Sequence, residues 1–208
     1  RVLLATSKPF AAQAVNEIQK IIESAGHSFS KLENYTDKSQ LLDAVKDADA
    51  IIIRSDFIDK EVMDAASDLK VIVRAGAGYD NVDLEAATAR NICVMNTPGQ
   101  NANAVAELVF GLMIYMQRNQ FDGSVGREIK GRRLGLYAFG NVAKMVAKIG
   151  RGFEMQVYAY SPIMTPDDLR KEGEYGVIPT YSNIELFKSS EFMSLHMPLL
   201  EDTRYCVN

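Results

Sequence analysis

The sequence has no tryptophan and only two cysteines, Cys93 and Cys206. The two cysteines are isolated, without the spacing of metal ligands or of a disulfide framework, which favours reduced thiols in a cytosolic protein. We therefore expect a cytoplasmic location and no metal site. The sequence does not open with a secretory signal, and its most apolar run, residues 104–116, contains Glu107 and Gly111. That run is too short to span a bilayer and predicts a buried helix.

The sequence also has no excess of positive charge. Its formal net charge is −4 and its pI is about 5.3, so there is no electrostatic reason to expect nucleic acid or an anionic membrane as a partner. With 208 residues, 47% of them hydrophobic and 24% charged, the chain is an ordinary soluble globular sequence. Any anionic ligand must therefore be held by local basic residues.

The first hundred residues alternate between apolar strands and helices. Continuous apolar strands separated by helices are typical of a parallel sheet covered on both faces. The predicted strands are 2–5, 29–35, 50–53, 71–73 and 92–95, and the predicted helices are 11–23, 39–46, 60–66 and 84–90. A long helix over 103–118 then leads to a second αβ unit. We predict two open parallel-sheet domains, flavodoxin-like and Rossmann-like, over residues 1–98 and 99–208, with the second incomplete.

Residues 133–160 have the pattern of a dinucleotide-binding turn. A strand over 133–137 is followed by a turn, a helix and a second strand over 156–160. The helix N-terminus of such a unit binds a pyrophosphate, and small residues let the backbone turn sharply beside it. Gly140 occupies the central glycine position, Ala143 the third, and Ala138 the first, where alanine departs from the G-x-G-x-x-G/A pattern. The pattern predicts a cofactor site, although an ordinary αβ connection remains an alternative on this evidence alone.

Ser161 stands where the second strand of such a unit should end in an acid that holds the adenosine ribose. A hydrogen bond to a charged group contributes about 1.5–3 kcal/mol and a neutral one about 1 kcal/mol. We therefore expect NAD to bind on the order of tenfold more weakly than with an acid. No Arg or Lys occupies positions 162–164, so a 2′-phosphate pocket is not indicated, and we hypothesise relaxed discrimination between NAD and NADP.

Three polar loops follow strands of the first predicted sheet. They begin at Arg54-Ser55, at Arg74 and at Asn96. Ligands of open parallel sheets bind beyond the carboxyl ends of the strands. Two arginines and the exposed N–H groups of Gly76 and Gly78 would suit a compact anion. The alternative is that both arginines are solvated residues at strand ends.

Four segments carry a resemblance to a known family. They are Ile53-Arg54-Ser55, the stretch RAGAGYDNVD from Arg74, Val94-Met95-Asn96-Thr97-Pro98-Gly99, and Ser194-Leu195-His196-Met197-Pro198-Leu199. In this order they resemble the D-2-hydroxyacid dehydrogenases, and within that family the enzymes that act on 3-phosphoglycerate. The resemblance spans nearly the whole chain.

The resemblance implies a two-domain oxidoreductase of serine biosynthesis that transfers hydride between NAD and C2 of 3-phosphoglycerate. It implies a homodimer or higher homo-oligomer, assembled through the helix that follows the NTPG segment. The implied substrate residues are Arg54, Ser55, Arg74, Gly76, Gly78 and Asn101. The implied cofactor residues are Ala77, Ala138, Gly140, Asn141, Val142, Ser161, His196, Met197 and Pro198.

The same resemblance implies that the catalytic residues lie outside this chain. Enzymes of this family use an arginine, a glutamate and a histidine in segments that would follow Asn208, so we expect no catalytic residue within this chain. We interpret His196 as a wall of the cofactor pocket and His27 as a surface residue. The expectation is an N-terminal portion of an enzyme that by itself folds poorly and transfers no hydride. The alternatives are a non-catalytic NAD-sensing or interaction protein on this fold, and a dehydrogenase of another D-2-hydroxy acid such as glycerate or lactate.

Overall fold

The computed structural model describes residues 1–198, 201 and 203–207 and divides into two compact units. The first is Arg1–Gln100 and the second begins at Asn101. The predicted boundary, between residues 98 and 99, lies close to this division. Each unit has its own hydrophobic core.

The first unit is an open sheet of five parallel strands in the order β2-β1-β3-β4-β5. This is the flavodoxin-like order. Its strands are β1 Val2–Thr6, β2 Phe29–Glu33, β3 Ala50–Ile53, β4 Val71–Arg74 and β5 Cys93–Asn96, and its helices are α1 Ala12–Ser24, α2 Lys38–Val45, α3 Lys60–Ala65 and α4 Leu84–Ala89. Each of these elements was predicted, with ends that differ by a few residues.

Three aspartates begin the helices that follow β2, β3 and β4. Asp37 caps α2 in a capping box with Gln40, Asp59 accepts from the Val62 N–H at 3.1 Å, and Asp83 accepts from the Ala86 N–H at 2.9 Å. Side-chain caps of this kind satisfy N–H groups that have no partner inside the helix. The caps therefore fix each strand-to-helix loop at the point where its helix begins.

The second unit is a parallel sheet of four strands among the described residues, in the order β8-β7-β6-β9. Numbered within the unit, this is 3-2-1-4, the beginning of the Rossmann order. The elements are α5 Ala102–Gln117, β6 Arg133–Tyr137, α6 Asn141–Gly152, β7 Gln156–Tyr160, α7 Pro166–Lys171, β8 Ile178–Pro179, α8 Asn183–Ser189 and β9 Phe192–Leu195. The predicted class, two open parallel α/β sheets, is confirmed.

Helix α5 buries one face and exposes the other. Ala106, Phe110 and Met113 lie in the core of the second unit, whereas Leu108, Leu112 and Met116 are more than half exposed. The prediction that residues 104–116 form a buried helix was therefore right for only one face. No helix of the described residues is long and apolar enough to cross a membrane.

Candidate functional site

The two arginines singled out from the sequence lie at neighbouring strand ends of the first sheet. Arg74 is the last residue of β4 and pairs in register with Ile53, the last residue of β3, which Arg54 follows directly. Arg54 and Ser55 are exposed, and Arg74 is half-buried. Since parallel strands end at the same edge, the loops after β3, β4 and β5 begin at one edge of the sheet.

The Arg74 side chain occupies the space beside Gly76. A Cβ atom on Gly76 would lie 1.5 Å from Nη1 and 2.6 Å from Cζ of Arg74. The guanidinium thus lies over the glycine backbone, and its Nε is buried with no hydrogen-bond partner in the described part of the chain. A side chain at position 76 would therefore displace the charged group.

The N–H of Gly76 is not free, contrary to expectation. It donates to the Arg74 carbonyl at 2.8 Å, which closes a γ-turn over residues 74–76. Gly78 is exposed, and its N–H has no acceptor within residues 1–198. Of the two glycines, only Gly78 therefore has an N–H available to an anion.

The loop after β5 is tied to the glycine-rich loop. The Asn96 side chain donates to the Ala77 carbonyl at 2.7 Å, and the Thr97 N–H donates to the Gly76 carbonyl at 2.9 Å. Gly99 has φ +80°, in the left-handed region that glycine adopts without steric cost. Asn101 belongs to the second unit, where it is the exposed N-cap of α5 without a side-chain cap bond.

The turn between β6 and α6 holds Ala138 in a left-handed backbone conformation. Ala138 has φ +66°, a conformation favoured by glycine, and its N–H donates to the Tyr160 carbonyl at 2.8 Å. Gly140 is the N-cap of α6, without a capping side chain, and there is no acid in the first helical turn. The first intrahelical bond runs from Lys144 N–H to the Gly140 carbonyl at 3.0 Å. The N–H groups before Lys144 and the positive end of the helix dipole are therefore available to an anion.

Replacing Ala138 by glycine is expected to stabilise the chain by about 0.5–1 kcal/mol. The left-handed conformation costs an L-residue about 1–2 kcal/mol, and the greater freedom of an unfolded glycine offsets about 0.5–1 kcal/mol of that gain. Urea unfolding of the variant measures the difference. Ala104→Gly is the matched control, because Ala104 is an exposed residue within α5 and glycine there should destabilise by about 1 kcal/mol. Losses of equal size in both variants would contradict the left-handed conformation.

Ser161 and His196 follow β7 and β9 at the same edge of the second sheet. Ser161 is 3% exposed, and its hydroxyl has no partner in the part of the chain that is described. The backbone N–H of His196 donates to the Tyr137 carbonyl at 2.9 Å. The ring nitrogen Nε2 of His196 is buried and has no hydrogen-bond partner among the described residues. Burial lowers the pKa of His196, so its imidazole is neutral at physiological pH.

The residues of this edge fit a dinucleotide. An uncapped helix N-terminus suits paired phosphates, and the hydroxyl of Ser161 at the end of the adjacent strand β7 suits a ribose hydroxyl. Ala138, Gly140, Asn141, Val142, Ser161, His196, Met197 and Pro198 all follow β6, β7 or β9 at the carboxyl edge. Ala77 belongs to the first unit, and Leu199 of the fourth motif lies outside the described residues. Among the described residues no cluster of His, Cys, Asp and Glu could hold a metal ion.

Sequence reasoning missed Asp56, the buried carboxylate next to Ser55. It also missed α7, β8 and α8. A signal for α7 was present, since Thr165 and Asp168 form a capping box with Pro166 at the first helical position. For Asp56 the only signal was an acid in a polar loop after an apolar strand.

Comparison with known proteins links both sheets to one family. The model of the family "D-isomer specific 2-hydroxyacid dehydrogenase, catalytic domain" matches residues 4–194. A hydroxypyruvate reductase of Thermotoga maritima is 36% identical over 189 residues, which are 84% of this chain and 59% of that protein. A D-3-phosphoglycerate dehydrogenase of Methanocaldococcus jannaschii is 34% identical over 202 residues, 90% of this chain and 38% of that protein.

Solved structures agree with these relatives. The NAD⁺-bound 3-phosphoglycerate dehydrogenase of Entamoeba histolytica superposes with a TM-score of 0.86 at 42% identity, covering 97% of this chain and 64% of that one. The chain thus spans less than two thirds of each of the three proteins named here.

Proposed function

The chain belongs to the D-isomer specific 2-hydroxyacid dehydrogenase family, and we propose that the whole protein transfers hydride between NAD and C2 of 3-phosphoglycerate. The observation that carries this proposal is the pair of arginines at neighbouring strand ends, Arg54 and Arg74. A substrate with a carboxylate and a phosphate needs two cationic contacts, whereas a simple hydroxy acid needs one. Relatives named phosphoglycerate dehydrogenase support the same choice.

In this proposal the first unit holds the substrate anions. Arg54 and Arg74 provide charged hydrogen bonds, and Ser55 and the N–H of Gly78 provide neutral ones. Gly76 takes a different role from the one implied by the resemblance. It makes room for the Arg74 guanidinium instead of donating its own N–H, which is already bonded within the turn.

The second unit is proposed to bind NAD, which when bound supplies the nicotinamide carbon that exchanges hydride with the substrate. The open N–H groups at Asn141 and Val142 would hold its phosphates, and the Ser161 hydroxyl would bond to the adenosine ribose. His196 would line the pocket as a neutral ring. We assign it no proton transfer, because the resemblance of residues 194–199 to the family makes His196 a wall of the cofactor pocket.

Arg54→Ala tests the substrate assignment. In the whole protein we expect it to weaken 3-phosphoglycerate binding roughly ten- to a hundredfold, the loss of a charged hydrogen bond. Glycerate, which lacks the phosphate, should lose far less affinity. Titration calorimetry with both compounds measures the two dissociation constants.

The matched control for that experiment is Arg118→Ala. Arg118 is an exposed arginine that is the C-cap of α5 in the second unit, and its removal should leave both affinities unchanged. Equal losses for 3-phosphoglycerate and glycerate in Arg54→Ala would argue against a phosphate contact. They would favour a dehydrogenase of another 2-hydroxy acid, and the Thermotoga relative is named hydroxypyruvate reductase.

A non-catalytic nucleotide sensor is the remaining candidate, because Ala138 and Ser161 depart from the usual cofactor pattern. The conformation of Ala138 argues against drift at this turn. The residue keeps φ +66°, which an alanine adopts only at a cost of about 1–2 kcal/mol. Retention of a costly backbone shape favours a turn that still binds phosphates, a property that a nucleotide sensor and a dehydrogenase share. Hydride transfer by the whole protein separates the two candidates.

We also propose that the protein is a homodimer formed through α5. Leu108, Leu112 and Met116 expose a continuous apolar row on the helix face opposite the core, and Phe121 follows at its end with 65% of its surface exposed. An exposed apolar patch of this kind is typical of a protein interface. A second copy of the protein is the partner that the family resemblance implies for this helix.

A further inference from the structure

Asp56 is a buried carboxylate that joins loops from three neighbouring strands. It is 3% exposed and follows Ser55 in the loop after β3. Its Oδ1 accepts from the Ser7 N–H at 2.6 Å and from the Tyr35 hydroxyl at 2.6 Å. Ser7 directly follows β1, and Tyr35 lies two positions beyond the end of β2. One carboxylate oxygen therefore fixes the loop after β3 against the loops after β1 and β2.

Asn81 holds the same loop from the side of β4. Its side-chain amide donates to the Asp56 carbonyl at 2.7 Å and to the Arg54 carbonyl at 3.4 Å. The Ile58 N–H donates to the Asn81 carbonyl at 2.9 Å. The backbone on both sides of Ser55 is thus bonded, while the side chains of Arg54 and Ser55 remain exposed.

This network is costly to build. Asp56 has no ion-pair partner among the described residues, and its Oδ2 is buried without a hydrogen bond there. A buried carboxylate without a cation loses more hydration than a neutral side chain would. Burial and the bond to Asp56 both raise the pKa of Tyr35, so its hydroxyl remains a donor at physiological pH. The carboxylate therefore calls for a functional explanation.

We propose that Asp56 is a positioning residue for the anionic substrate. By holding the loop from both sides, it presents Arg54 and Ser55 in one orientation at the sheet edge before the substrate arrives. Preorganisation of this kind removes the cost of ordering the loop on binding. The proposal rests on the function proposed above, since Arg54 must contact the substrate for its orientation to matter.

Three variants of the whole protein test the proposal. Asp56→Ala removes the acceptor and should raise KM for 3-phosphoglycerate by roughly tenfold or more, while kcat and KM for NAD change less than twofold. Asp56→Asn keeps an oxygen at Oδ1 and should recover most of the affinity. Tyr35→Phe removes one of the two donors and should raise the same KM by roughly threefold to tenfold; it also serves if Asp56→Ala does not fold.

The matched control is Tyr158→Phe. Among the described residues its hydroxyl bonds only to the Gln156 side chain, at 3.4 Å in an exposed position on β7, so both KM values should stay as in the wild type. Equal kinetics in Tyr35→Phe, Asp56→Ala and wild type would overturn the proposal. A fall in kcat with unchanged KM would overturn it as well.

Amide hydrogen exchange separates this proposal from the function on which it rests. The Ser7 and Ile58 amides should exchange faster in Tyr35→Phe than in Tyr158→Phe, because both are bonded within the network. If the wild type does not oxidise 3-phosphoglycerate, the proposed function is wrong, and faster exchange would still support the role of Asp56 in holding the loop. Unchanged exchange would contradict that role whatever the substrate.

Discussion

Replacing Gly76 by alanine is expected to weaken 3-phosphoglycerate binding by roughly ten- to a hundredfold, about as much as removing the Arg74 guanidinium. The added Cβ would lie 1.5 Å from Nη1 and 2.6 Å from Cζ of Arg74, so the charged group must leave its position over the glycine backbone. The backbone of Gly76 lies outside the left-handed region. Alanine therefore fits the backbone, and the effect arises from the position of the arginine alone.

A double-mutant cycle in the whole protein measures this coupling. Titration calorimetry with 3-phosphoglycerate gives the affinities of Gly76→Ala, Arg74→Ala and the double variant. Because both changes remove the same contact, the double variant should bind about as weakly as Arg74→Ala alone. Gly173→Ala is the control, since a Cβ there meets no atom within 4 Å. Additive losses would show that Gly76 acts on the substrate independently of Arg74, for instance through its backbone.

The first sheet was predictable because its strands are continuous apolar runs. Ala50–Ile53 and Val71–Arg74 are short strands with one face buried and the other half-buried. They are separated by a helix with an aspartate cap. Such runs specify a parallel sheet without knowledge of distant contacts. In the second unit, Ile178–Pro179 is a strand of only two residues. A run of that length has no detectable period, so only its pairing with β7 identifies it.

The residues of the site were predictable where a sequence motif identified them. Hydrogen bonds between residues that are distant in the sequence were not predictable. The motifs at Arg54, Arg74, Asn96 and His196 led to the family, and the match over residues 4–194 confirms that resemblance. The bond between Tyr35 and Asp56 joins residues that are 21 positions apart. Nothing in the sequence near either residue indicates it. The same holds for the N–H of Gly76, because composition reveals a glycine but not the acceptor that its N–H finds.

Replacing Ser161 by aspartate is expected to lower the free energy of unfolding and to raise the preference for NAD over NADP. Ser161 is 3% exposed and its hydroxyl lacks a partner in the described residues. A carboxylate at this position is buried without a cation and should lower the free energy of unfolding of the free protein by about 1–3 kcal/mol. Urea unfolding without cofactor measures that loss. Ser161→Asn, which adds similar volume without charge, should lose less.

Cofactor binding should change in the opposite direction. A carboxylate that accepts from ribose hydroxyls makes charged hydrogen bonds, so NAD should bind on the order of tenfold more tightly in Ser161→Asp. NADP carries a phosphate on that ribose, and repulsion between like charges should weaken its binding by at least about tenfold. The shift in melting temperature of the whole protein, titrated with each cofactor, reports both affinities. A ligand stabilises the folded state by RT ln(1 + L/Kd), where L is its free concentration. Ser161→Asn separates the two causes, since its neutral amide neither attracts the ribose as a charged acceptor nor repels the phosphate. If Ser161→Asp loses stability yet binds NAD and NADP as the wild type does, then Ser161 lies outside the ribose site, and the missing acid gives no ground for expecting relaxed selectivity.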